Sequence, residues 1–367
     1  MKIVLAGGGT GGHIMPLISV AKKIREKFPD AEFIFMGPKG KLEKELMDKE
    51  GIPTENIAVG KMRRYFSFSN FADFFRVIFG IFHSLWYLLE HMPDAIFSKG
   101  GYAAFPVVVA GWIYRIPILI HESDSVPGMT NSILAKFATR VAVSYPSAES
   151  EFPASQVVLT GNPLRPDINQ GDATKIRQAL SILEEKKVIF VMGGSQGSQI
   201  INEKIVNILP QLLRKYQVIH QTGEANLDRV RHKAGELGIK AGREGYYVFP
   251  FIGEELKDVF AAADLVITRA GANSLSEIAA NGKPSIVIPI ESSANNHQRM
   301  NAYALAKIGG CMVLEETNLG EHVLLNTIEE IMNSEELRSK LSSNIKMFYH
   351  ADAADKIAEG IYGMIKK

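Results

Sequence analysis

Residues 2–24, KIVLAGGGTGGHIMPLISVAKKI, decide the fold. The apolar run Ile3 to Ala6 is followed by glycines interrupted only by Thr10, and then by Ile14, Leu17, Ile18 and Ala21 at helical spacing. That order reads as strand, tight turn and helix. A related pattern returns at 188–205, VIFVMGGSQGSQIINEKI. The chain therefore builds this unit twice. In open α/β sheets ligands sit beyond the carboxyl ends of the strands, where a helix start offers backbone N–H groups and the positive end of its dipole. Each glycine turn is expected to hold an anionic group there.

Outward from these two turns, short apolar runs alternate with helical patterns. KIVLA, EFIFMG, AIFSKG, IPILIHE, RVAVS and VVLTGN make one set; KVIFVMGG, QVIHQTG, YVFPFI, LVITRAG, PSIVIPI and CMVLEE make a second. Continuous apolar strands interleaved with helices signal parallel sheets covered on both faces. The fold class is α/β, with two Rossmann-like, doubly wound domains. Gly161, Pro163 and Pro166 in LTGNPLRPDI punctuate the join, giving expected domains of 1–163 and 164–351. On pattern alone the last helix, 352–367, fits either half.

A length of 367 residues agrees with two cores. With 41 Lys and Arg against 40 Asp and Glu, the chain lacks the basic footprint of a duplex-DNA binder, so no nucleic-acid partner is expected. Its one cysteine, Cys311, cannot close an internal disulfide. With no leader pattern at the N-terminus, a reducing cytoplasm is the expected compartment. The most apolar stretch of the first half, Ala103 to Ile120, is broken by Pro106, Arg115 and Pro117 and reads as a buried helix followed by a buried strand. No membrane crossing is expected.

Gly7-x-Gly9-x-x-Gly12 matches a dinucleotide fingerprint, but the second strand ends in Gly37, Pro38 and Lys39, where a ribose-binding acid would be required. No GxxxxGK[ST] phosphate loop occurs either. His13, directly after the glycines, favours a reactive role for the first turn over mere strand-to-helix packing.

GGGTGGHIMP, SKGGYAAFPVVVAG, HESDSVPGMTN, GNPLR, GGSQGSQIIN, RAGANSLSEIAANGKPSIVIPI and NNHQRMNA follow one another over essentially the whole chain. In this order and spacing they resemble the family 28 glycosyltransferases of peptidoglycan synthesis. Those enzymes transfer N-acetylglucosamine from UDP-GlcNAc to the C4 hydroxyl of MurNAc in undecaprenyl-pyrophosphoryl-MurNAc-pentapeptide, lipid I, giving lipid II. The resemblance implies the GT-B fold, two domains facing a central cleft, with the last helix returning to the first domain. It implies an inverting transfer with no cofactor and no metal, and the sequence has no D-x-D pair to chelate an ion on a diphosphate. It also implies residence at the cytoplasmic face of the cell membrane, with proteins of the cell-wall machinery as partners.

Residue by residue, the resemblance implies that Glu277 accepts the ribose hydroxyls, in charge-assisted bonds of about 1.5–3 kcal/mol each. Ala272, Asn273, Ser274, Leu275 and Ser276 would form a turn facing the diphosphate, with Ser195 and Gln196 at the phosphates. Arg165 adds a contact near the join, the main chain of Ile252 reads uracil, and Gln298 reads sugar hydroxyls. Thr10, Gly11 and Gly12 would cradle the lipid pyrophosphate or lie beside the donor. His13 is the candidate general base, with Glu122 as the rival carboxylate. Tyr102 and Asn131 fall on the acceptor side. Asp124, on the donor-binding side, stands where relatives carry an amide that touches the donor; an ionised acid accepts but cannot donate, so the pattern differs there. Two other readings share the donor pocket: a non-hydrolysing UDP-GlcNAc epimerase, and a nucleotide-sugar-binding scaffold without turnover.

Ten of the 32 aromatic residues fall between Tyr65 and Tyr87, directly after Lys61, Arg63 and Arg64. Such clustering exceeds what one core-facing stripe needs. From Phe71 to Leu89 the pattern is helical, apolar on more than one face, and reads as too short to cross a bilayer. Arg64, Phe75, Phe79, Phe82 and Trp86 are therefore expected to meet an anionic membrane surface.

Overall fold

A computed structural model describes residues 1–9, 11–60, 68–183, 185–194, 196–242, 245–291, 293 and 296–366, without the side chains of 68–70. Thr10, Arg64 and Ser195 lie outside the described residues. The chain divides into two compact units, Met1–Arg165 with His350–Lys367, and Pro166–Tyr349.

The first unit carries seven strands: β1 (Lys2–Ala6), β2 (Glu32–Gly37), β3 (Thr54–Asn56), β4 (Ala95–Ser98), β5 (Ile118–Glu122), β6 (Arg140–Val143) and β7 (Val157–Leu159). They pair in the order β3-β2-β1-β4-β5-β6-β7, all parallel. The order reverses between β1 and β4, so the crevice of this sheet opens beside the first glycine turn. Val4, Phe97 and Ile120 are sealed from solvent, as strands covered on both faces require. The final helix, Ala353–Ile365, places Ile357 and Ile361 in the same core as Ile3, Leu5 and Leu17. Lys27 adds ion pairs to Asp355 and Glu359.

The second unit carries β8 (Val188–Met192), β9 (Gln217–Gln221), β10 (Tyr246–Phe249), β11 (Leu265–Thr268), β12 (Ser285–Val287) and β13 (Met312–Val313). Its parallel order is β10-β9-β8-β11-β12-β13, with the reversal between β8 and β11. The second glycine turn follows β8, and the helix Ala272–Asn281 follows β11, so both helix starts border that crevice.

The aromatic segment forms one helix, Phe68–His91. Its 24 residues correspond to about 36 Å, which corrects the expectation that it is too short for a bilayer. Within Phe71–His91 an 18-residue stretch reaches a mean hydropathy of 1.3, long and apolar enough for a crossing by length and composition. The helix instead lies against its own unit. Asp73, Gly80, Ser84 and Leu88 are buried, and a Cβ on Gly80 would come within 2.1 Å of the Ala58 carbonyl oxygen. Asp73, Gly80, Ser84 and Leu88 thus lie on the inner face, whereas Phe71, Phe74, Phe75, Phe79, Phe82, Trp86 and Leu89 all point outward.

Candidate functional site

In the first unit, His13 lies in the opening turn of the helix Gly11–Lys27, half-buried. Its ring packs over Gly101, where a Cβ would stand 3.4 Å from Cε1. Burial and then the charge of Lys99 push its pKa down to about 4, against the opposing pull of Asp124. At neutral pH His13 is thus an uncharged imidazole able to accept a proton. Lys99 is itself buried at the end of β4, with Nζ 2.7 Å from Nδ1 of His121, and burial lowers it to about 8. The His121 Nε2 lies 3.0 Å from the Gly161 carbonyl oxygen. Burial and Lys99 hold His121 well below its ordinary range.

Glu122, at the end of β5, is buried with both carboxylate oxygens occupied. Oε1 accepts from the Asp124 N–H at 2.9 Å, and Oε2 accepts from the Gly128 N–H at 3.0 Å and from Asn131 Nδ2 at 2.9 Å. Burial and then Asp124 push its carboxyl upward. With three N–H donors on it, Glu122 pins the loop 123–128, and this geometry speaks against its use as the base. Asn131 is likewise buried behind that loop, holding Glu122. Tyr102 is half-buried, its hydroxyl set 3.0 Å from where a Cβ on Gly9 would stand.

Glu43 was not anticipated. Its carboxylate is buried and accepts the Gly9 N–H at 2.8 Å. The first turn therefore already carries an anion on one of its amides, which weakens its expected role as an anion cradle. Only the charge of Glu43 in the first turn of its own helix, Lys41–Lys49, hinted at this, since the contact spans 34 positions of sequence. Gly11 has open space around it and Gly12 is exposed.

In the second unit the turn after β8 is built from uncharged groups. The Gly197 N–H donates to the Gly194 carbonyl, and Ser198 Oγ caps the helix Gln199–Lys215 by accepting from Ile201 N–H. Gly197 has φ +75°, and any Cβ there would fall 1.7 Å from the Thr222 carbonyl oxygen. Only glycine lets the turns after β8 and β9 touch. Asn226 Nδ2 reaches the Gln196 carbonyl at 3.4 Å.

The residues expected to form a turn at 272–276 are instead the start of the helix Ala272–Asn281, with Gly271 at its N-cap in an extended conformation. The Leu275 N–H is spent on the Gly271 carbonyl, and Ser276 Oγ bonds back to the Ala272 carbonyl at 2.8 Å. Ala272, Leu275 and Ser276 are buried, and Asn273 and Ser274 are half-buried at the start of this helix, where the first-turn amides have no carbonyl one turn earlier. Glu277 lies half-exposed on the second turn of this helix. Ile252 is buried, with its N–H donated to Gln221 Oε1 at 2.9 Å. Gln298 opens the helix His297–Lys307, and its Oε1 accepts from the Ile290 N–H at 3.2 Å, which turns its NH2 group outward from that contact. Arg165 is the last residue of the first unit's main segment. Among the described residues no three His, Cys, Asp or Glu side chains gather as metal ligands.

Residues 3–143 match the glycosyltransferase family 28 N-terminal domain and residues 188–357 its C-terminal domain. The chain is 38% identical over 365 residues to the UDP-N-acetylglucosamine–N-acetylmuramyl-(pentapeptide) pyrophosphoryl-undecaprenol N-acetylglucosamine transferase of Clostridium perfringens, covering 99% of this chain and 96% of that protein. It is 35% identical over 368 residues to the transferase of that name from Bacillus cytotoxicus, covering all of both. Among solved structures it is similar to MurG of Acinetobacter baumannii, with TM-score 0.76 and 25% identity over 99% of each chain. The UDP-GlcNAc 2-epimerase of Neisseria meningitidis shares the fold alone, with TM-score 0.73 and 12% identity over 99% of this chain and 100% of that one. Two parallel-sheet units of this topology, full-length identity to those transferases and both domain matches make one conclusion: the chain is a GT-B enzyme of glycosyltransferase family 28.

Proposed function

We propose that this enzyme transfers N-acetylglucosamine from UDP-GlcNAc to the MurNAc C4 hydroxyl of a lipid-linked pyrophosphoryl acceptor, lipid I, forming lipid II. The observation that carries this reading is full-length identity to transferases whose name states that donor and acceptor.

The second unit takes the donor. The uncharged turn after β8 and the amides of Ala272, Asn273 and Ser274 meet the diphosphate, which leaves with UDP, and no metal is required for that neutralisation. Glu277 accepts the ribose hydroxyls, Ile252 reads uracil through its main chain, and Gln298 presents its NH2 to the sugar. Ser195 and Arg165 join the phosphate contacts.

The first unit takes the acceptor. His13 removes the C4 proton as that oxygen attacks the anomeric carbon with inversion. A pKa near 4 makes a weak base in the empty enzyme. The two phosphorylated substrates bring negative charge that raises it towards the working range. Glu122 and Asn131 hold the loop that carries Asp124, and Tyr102 backs the first turn.

The outward aromatic face of the helix Phe68–His91 rests on an anionic membrane at the cytoplasmic side, where the lipid acceptor resides, and Arg64, just before it in sequence, adds positive charge to that contact. Cell-wall synthesis proteins are its proposed neighbours there.

The deciding experiment supplies UDP-GlcNAc labelled in the sugar and a short-chain lipid I analogue, in EDTA. Labelled disaccharide lipid, with UDP released only when acceptor is present, is the expected result. UDP release without acceptor, or a strict need for added magnesium, overturns the assignment.

A further inference from the structure

Gln221 is the last residue of β9, the strand that lies between β8 and β10. The residue is 3% exposed and its side chain is bonded at both ends. Nε2 donates to the Gly194 carbonyl in the turn after β8, at 3.2 Å, and Oε1 accepts the Ile252 N–H beyond β10, at 2.9 Å. One end faces an acceptor and the other a donor, so the amide has a single satisfying orientation. Main-chain pairing between these neighbours stops earlier. Thr222 N–H reaches the Phe249 carbonyl and Gly223 N–H reaches the Pro250 carbonyl, after which, among the described residues, this side chain continues the link to Ile252.

We propose that Gln221 is a positioning residue that locks the Ile252 segment to the turn at Gly194, so that base and diphosphate meet two surfaces already held at a fixed separation. The proposal rests on the donor reading above and deepens it. A nucleoside diphosphate has its base and phosphates joined by one ribose, so the span it requires is set by the ligand. Freedom between the two protein segments would have to be lost on binding, and a buried two-ended amide removes it beforehand. The neighbouring network is equally fixed: His220, whose pKa burial pushes down to about 3, bonds Tyr246 and Asn202, and Asn202 holds the Thr222 carbonyl.

The test is titration calorimetry of the full chain with UDP and CDP, together with steady-state kinetics. Gln221→Met keeps the volume and loses both bonds. UDP affinity should fall about tenfold, because the freedom of the Ile252 segment must then be lost on binding, and the preference for UDP over CDP should fall with it. KM for UDP-GlcNAc should rise while kcat and the acceptor KM stay within about twofold, a split expected for lost uniform donor binding. Gln221→Glu retains the acceptor for Ile252, so its UDP-over-CDP preference should remain while UDP binding weakens. Should Gln221→Met not fold, the glutamate variant still decides, because loss of its base preference overturns the two-arm assignment. Unchanged UDP affinity and preference in Gln221→Met also overturns it. A wild-type chain that binds neither nucleotide would overturn the donor reading itself, whereas wild-type binding with insensitive variants removes only Gln221.

Discussion

The two glycine turns open the same kind of unit, yet they are finished with opposite electrostatics. The turn at 193–198 is closed by carbonyls, amides and a serine, with Gly197 pressed on Thr222. The turn at 7–12 carries a buried carboxylate, Glu43, on the Gly9 N–H, and a histidine beside it. A helix start with neutral surroundings gains from a bound anion, whereas a pre-installed carboxylate opposes a second one. Repetition of a sequence pattern therefore does not imply repetition of its chemistry: the second turn is closed by uncharged groups, whereas the first holds an acid and a histidine.

The comparison breaks most readily at His13. If the first turn serves proton transfer, His13→Ala should lower kcat/KM by about 10²-fold or more with UDP affinity little changed. A loss under about tenfold would remove it from the chemistry. On the other turn, Glu277→Ala should weaken UDP by about ten- to a hundredfold, as expected for charge-assisted bonds, without altering acceptor KM. Equal effects on donor and acceptor would show that the division between units is wrong.

Glu43 sharpens the contrast. Glu43→Ala leaves a buried N–H on Gly9 and should cost about 1–3 kcal/mol in a denaturant melt. Glu43→Gln keeps an oxygen for that N–H while removing charge, so it should restore most of the stability and, by lifting repulsion, tighten the pyrophosphate-bearing acceptor slightly. Acidification is the next lever. His13, His121 and His220 all have folded pKa values lowered from 6.5, so the unfolded chain binds more protons below that pH. Their contribution to stability is complete above about 6.5 and declines as pH falls from there towards about 4, where His13 charges. Two of these histidines lie in the first unit and one in the second, so hydrogen exchange should report earlier opening of the first unit on acidification. The rise in the Glu122 carboxyl works against this slope, which makes the expected difference modest.

The smallest effect belongs to the surface helix. Phe79→Ser with Trp86→Ser should reduce co-sedimentation with anionic vesicles while leaving transfer to a water-soluble acceptor analogue unchanged, since both side chains point into solvent. Unchanged vesicle binding would relocate the membrane contact.

Much of the fold was legible because parallel strands buried on both faces must be continuously apolar, and twelve of the strands announce themselves this way. The exception, β3, is Thr54-Glu55-Asn56, an edge strand whose polar residues give no apolar run. The segment at 272–276 reads as a turn because its glycine precedes small residues; in space Gly271 is only the cap of a helix. The expected site residues lie in contiguous motifs and come by resemblance. The contacts of Glu43 and Gln221 were not legible, because each reaches a main-chain group some thirty positions away, and such pairings exist only once the strands are laid side by side. Glu122 shows the converse: an acid in a familiar block whose partners, not its identity, decide what it can do.

The last helix, Ala353–Ile365, has a consequence for synthesis. Ile357 and Ile361 complete a core begun by Ile3 and Leu5, so the N-terminal half cannot finish packing while its closing segment is still inside the ribosome. The second unit, contiguous from Pro166 to Tyr349, emerges whole before that moment. The part translated first is thus the last to mature, and loss of a dozen C-terminal residues should leave newly made chains with an exposed N-terminal sheet for chaperones and proteases to find.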